Sequence, residues 1–163
     1  MPTVKELIED MRRHLKVEIV PTRKWAEALK GLHRGGSPFQ TLHVGDRFLI
    51  SKSEISKPEV VAHEWGHMIT WLDAGKPGDK DFGCSLYELI ADDLERETCG
   101  IELALRVRWG MSFEDAKRTF LHIYCYEDDL EWEDDVGFVG GDELVRDVLA
   151  QGESRIKEWE ASR

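Results

Sequence analysis

At 163 residues, 41% hydrophobic and 34% charged, the chain has the size and composition of one soluble globular domain spanning residues 1–163. Its net charge of −11 argues against a nucleic-acid partner, which would require a clustered basic face. No apolar stretch reaches the length of a membrane span and residues 1–10 lack a signal-peptide run, so the expectation is a cytoplasmic protein with no membrane partner.

In chain order, Val4, Leu7, Ile8, Met11 and Leu15 recur on one stripe and predict a helix from Thr3 to about Lys16. Thr3 reads as its N-cap and Glu6 closes a capping box. Val17–Val20 alternates as a short strand stopped by Pro21, and Thr22–Leu32 reads as a second helix with Trp25, Ala28 and Leu29 inward. Gly35-Gly36-Ser37-Pro38 then opens a loop. Phe39–Val44 and Arg47–Ser51 are β-rich and flank the turn signal Gly45-Asp46, which predicts a hairpin.

A helix follows, with Ser56-Lys57-Pro58-Glu59 as its capping box and Gly75 and Pro77 as its stop. Val60, Val61, Trp65, Met68, Ile69 and Leu72 supply its apolar surface. Beyond a polar loop, Leu86 to about Val107 reads as one long helix ended by Gly110, and Ser112 opens another that runs to about Asp129. Residues 127–135 form an acidic run that reads as a solvated segment and lacks the order of a calcium-binding loop. Residues 137–141 read as a glycine-rich linker, and a last helix covers Asp142 to about Trp159 with Gly152 as a kink point. The expected fold is α+β, mostly helical, with a small antiparallel sheet beside the helix of residues 58–72.

That helix carries His63-Glu64-x-x-His67. Successive residues on a helix turn by about 100°, so His63 and His67 project from one face, one turn apart. Two neutral imidazoles so placed can hold one Zn²⁺, and Glu64 can reach a water at the metal without ligating it. A catalytic zinc takes a third protein ligand. Glu88, twenty-one residues after His67, is the first candidate, with Glu95 next and Asp92 third. Asp92, one turn beyond Glu88, is also placed to accept a hydrogen bond from the free nitrogen of a ligand histidine and fix its tautomer.

HExxH followed some twenty residues later by Glu88-Leu89-Ile90-Ala91-Asp92 resembles the gluzincin metallopeptidases, over roughly residues 40–100. The small size is similar to that of minigluzincins and ImmA/IrrE-type peptidases. The resemblance implies that His63, His67 and Glu88 bind zinc, that Glu64 is the general base, and that Asp92 supports a ligand histidine. It also implies that a strand just before the motif helix lines the substrate cleft and pairs with an extended peptide, which points to Phe48–Ile50. No third histidine completes the metzincin pattern.

His122, Tyr124 and Tyr126 are candidates for donating a hydrogen bond to an oxyanion, and His43 for a further site group. Cys84, Cys99 and Cys125 are odd in number and lack CxxC spacing, so they read as reduced thiols, with a Cys84–Cys99 disulfide as the alternative. The expected activity is zinc-dependent hydrolysis of a peptide or protein substrate, with water activated by Glu64. The alternatives are a binding or regulatory module on the same scaffold and a zinc that only fixes the fold.

Overall fold

Thr3 and Glu6 start the first helix by exchanging hydrogen bonds. The Thr3 backbone N–H donates to Glu6 Oε2 at 2.7 Å, and the Glu6 N–H donates to Thr3 Oγ1 at 3.3 Å. The computed structural model describes the backbone of residues 1–30, 40–76, 85–124, 132–133, 137–138 and 141–162. It describes their side chains except at 85–94, 123–124, 132–133 and 137–138. The architecture is α+β, and the chain divides into two units, residues 2–90 and 91–163.

In the first unit, α1 (Val4–His14) buries Leu7 and Met11, as its stripe predicts, and leads directly into β1 (Lys16–Val20). A 3₁₀ turn (Thr22–Lys24) and α2 (Trp25–Ala28) follow. The helix expected over 22–32 is therefore short, and its last residues fall outside those described. The hairpin of β2 (Thr41–Val44) and β3 (Arg47–Ser51) has the expected two-residue turn, and Gly45 takes a φ of 57° that favours glycine.

The sheet is mixed rather than antiparallel. β1 lies parallel to β3, with Val17 opposite Phe48 and Ile19 opposite Ile50, and β2 lies antiparallel on the other side. The intervening residues 21–46 give the crossover that a parallel pair needs. The order β1-β3-β2 puts Phe48, Leu49 and Ile50 in the central strand, each buried to 2% exposure or less. Phe48–Ile50 is therefore not an edge able to pair with a peptide. Its run of apolar residues belongs to a strand covered on both faces.

Helix α3 (Pro58–Asp73) buries Val60, Val61, Trp65, Met68, Ile69 and Trp71. Its start differs from expectation: Lys57 is the N-cap residue without a side-chain cap, and Pro58 supplies the first turn. Ser56 Oγ donates instead to the Ser53 carbonyl at 3.0 Å. Trp65 Nε1 donates to Asp10 Oδ2 at 2.8 Å, tying α3 to α1.

Helix α4 (Ser85–Arg108) runs through the boundary between the units. In the second unit its C-terminal half, α5 (Phe113–Tyr124) and α6 (Asp142–Ala161) share a core of Cys99, Leu103, Ala116, Phe120, Leu121, Val145 and Val148. Ser112 Oγ accepts from the Asp115 N–H at 3.1 Å and so starts α5 as expected. Gly141, in the left-handed region, is the N-cap of α6, which begins at Asp142 as expected. Gly152 sits where α6 meets α4 at Gly100, and an added Cβ would lie 2.0 Å from the Gly100 carbonyl oxygen. Two-residue strands β4 (Trp132–Glu133) and β5 (Gly137–Phe138) pair antiparallel, so the acidic run and the stretch read as a linker contain a short ladder.

Candidate functional site

The motif helix owes its orientation to its buried side. Trp65 and Met68 are covered almost completely, and the indole hydrogen bond to Asp10 fixes how α3 rolls on α1. That leaves His63 and His67 half-buried on another face. Their rings stand edge to face, centroids 4.6 Å apart and planes at 87°. A ring nitrogen of one lies within 4.8 Å of a ring nitrogen of the other. Nitrogens about 2.0–2.1 Å from a tetrahedral zinc stand roughly 3.3 Å apart, a spacing within reach of small side-chain rotations. The pair can therefore offer two nitrogen donors to one metal ion. Thr70 Oγ1 donates to the His67 carbonyl at 3.1 Å, adding a side-chain contact to the next turn.

Glu64 is 7% exposed, far more buried than its histidine neighbours. A carboxylate taken out of water is costly unless it accepts hydrogen bonds. Thr41 provides one: its Oγ1 donates to Glu64 Oε1 at 2.6 Å, in the range of a charge-assisted bond. Thr41 is itself buried, at 6% exposure, and opens β2 opposite Ile50. The ladder extends past it, since the Ser51 N–H donates to the Gln40 carbonyl at 2.9 Å. The hairpin thus places one hydroxyl against the central carboxylate of the motif.

His43, two residues along β2, stacks edge-on against Trp71, with centroids 4.8 Å apart at 68°. That contact joins β2 to α3 and gives His43 a packing role. His122 is exposed on α5, and the side chains of Tyr124 and Tyr126 lie outside the described residues. So do those of Glu88 and Asp92, although both positions are on α4. Glu95 is half-buried two helical turns beyond Glu88, on the same face of that helix. Cys99 is buried on α4, and Cys84, its partner in the alternative disulfide, lies outside the described residues. Among the described residues, no helix is long and apolar enough to cross a membrane.

Two residues of this region were missed in the sequence. Thr41 gives no signal of its own, because a threonine opening a strand is ordinary. Asp10 does give one. It lies on the same face as Leu7 and Met11, and a carboxylate on a buried stripe calls for a donor such as the Trp65 indole. No family model matches the chain, and no curated protein or solved structure matches it.

Proposed function

We propose that the chain is a zinc-dependent metallopeptidase that hydrolyses peptide bonds in a peptide or protein substrate. The observation that carries this reading is the paired imidazoles of His63 and His67 on the helix that also holds the buried Glu64 carboxylate. In this proposal the zinc is held by His63, His67 and a carboxylate of α4. Glu88 is the third ligand by motif position. Glu95, the next acidic candidate on that helix, is its rival. Asp92 is proposed to orient a ligand histidine.

A zinc ion in this set supplies Lewis acidity, which polarises a carbonyl and makes water a nucleophile near neutral pH. The chain's own part falls to Glu64. Its carboxylate takes a proton from water as the new O–C bond forms at the scissile carbonyl. It then delivers that proton to the amine nitrogen as the C–N bond breaks. The half-buried position of His63 and His67 keeps their faces within reach of a substrate while α3 itself stays anchored. We also propose a cytoplasmic location, a reading supported by three cysteines, an odd number, without CxxC spacing.

The test is metal analysis of freshly purified protein together with a peptide-library cleavage assay on wild type and Glu64→Gln. The expected result is zinc in both and cleavage only in the wild type. Cleavage that survives the substitution, or protein without zinc, overturns the proposal. Zinc without cleavage in either protein favours the binding-module alternative.

A further inference from the structure

Thr41 stands twenty-three residues from Glu64 in sequence, yet its hydroxyl donates to Glu64 Oε1 at 2.6 Å, with both residues almost fully buried. We infer that Thr41 is the positioning residue of the proposed reaction: it holds the Glu64 carboxylate in one orientation and leaves Oε2 as the oxygen that exchanges a proton with water. This rests on the hydrolase reading of the site.

The argument is geometric. A glutamate has three side-chain torsions, and a fixed hydrogen-bond partner selects among the rotamers that its packing allows. Thr41 is well suited to that task. Its β-branched side chain is stiff at χ1, and its backbone is held in the β2–β3 ladder opposite Ile50. A hydroxyl has one hydrogen to donate, and here it goes to one named oxygen. The hairpin thereby sets the reach of the base. Positional errors of the order of 1 Å cost up to about 100-fold in rate when the group reacts in place.

The test compares Thr41→Val, which keeps the shape and removes the donor, with Thr41→Ser, which restores it. High-resolution crystal structures of both variants and the wild type read the Glu64 side chain directly. The expected result is one Glu64 rotamer in wild type and Thr41→Ser, and a turned or multiply occupied carboxylate in Thr41→Val. Peptide hydrolysis should show kcat reduced about 10- to 100-fold in Thr41→Val with KM little changed, and recovery in Thr41→Ser.

An unchanged Glu64 in Thr41→Val overturns the inference whatever the activity. So does a displaced Glu64 with undiminished kcat. A displaced Glu64 in Thr41→Val, in a protein whose wild type cleaves no peptide, upholds the positioning contact. In that case it is the hydrolase reading that fails.

Discussion

Trp65 and Asp10 meet between α3 and α1, the indole N–H donating to the carboxylate at 2.8 Å with both side chains at 1% exposure. Because Trp65 is two residues from each of the motif histidines, this bond helps decide which face of α3 is left for His63 and His67. Removing the acceptor leaves a buried donor unsatisfied, which costs about 1–3 kcal/mol. Asp10→Ala is therefore expected to lower stability by that amount in urea unfolding. Asp10→Asn, which keeps an acceptor oxygen, should lose less. Equal losses would mean that the hydrogen bond is not what holds the two helices.

A second prediction concerns the helix crossing in the other unit. A Cβ at Gly152 would approach the Gly100 carbonyl oxygen to 2.0 Å and the Ile101 nitrogen to 2.9 Å, both backbone atoms. Alanine in a helix interior is favoured over glycine by about 1 kcal/mol. Here the helices would have to move apart, and overpacking of that kind costs about 1–3 kcal/mol or more. Gly152→Ala should therefore be destabilising in thermal unfolding. Gly100→Ala, whose nearest contact is the Val148 carbonyl at 3.0 Å, should be milder. The reverse ranking would contradict this packing.

The acid side of the stability profile should show the link between α4 and α6. Arg108 Nε and Nη2 donate to the two oxygens of Glu153, each at 2.8 Å. That bidentate bond is the main reason the Glu153 carboxyl is held below its ordinary value of 4.5. A depressed folded-state pKa contributes stability that is present above the unfolded value and lost as pH falls through the folded one. Wild type should lose stability as pH drops below the ordinary carboxyl range, and Glu153→Gln should lose less of it over that interval. Denaturation midpoints measured across the acid range check this. Identical slopes in the two proteins would contradict it.

Metal content should separate the proposed ligand histidines from the proposed base. His63→Ala and His67→Ala are expected to lose zinc, whereas Glu64→Gln keeps it and loses turnover by several orders of magnitude. Of Glu88→Gln and Glu95→Gln, one should lose zinc and the other retain it. Retention by both would leave Asp92 as the remaining candidate on α4, and retention by Asp92→Asn as well would remove all three as the third ligand.

Much of the local structure was legible because its signals are local. Pro58 and Gly75 bracket α3, Thr3 and Glu6 start α1, and Gly45-Asp46 turns the hairpin. The paired histidines follow from helix geometry alone. What failed or went unseen depends on partners distant in sequence. Nothing in Val17–Val20 says that it pairs with β3 in parallel, so no local signal corrected the edge that the resemblance implied at Phe48–Ile50. Ser56 and Glu59 have the spacing of a capping box, yet a competing turn around Ser53 claims the Ser56 hydroxyl. Gly152 shows its reason only where Gly100 meets it, and Thr41 only where it meets Glu64.

The most direct measurement is X-ray absorption at the zinc edge on purified wild-type protein, with metal quantified per chain. The account predicts one zinc per chain, two imidazole nitrogens at about 2.0–2.1 Å, remaining ligands that are oxygen, and no sulfur. A protein without tightly bound zinc, or a zinc shell that contains sulfur or lacks the two imidazoles, would contradict it.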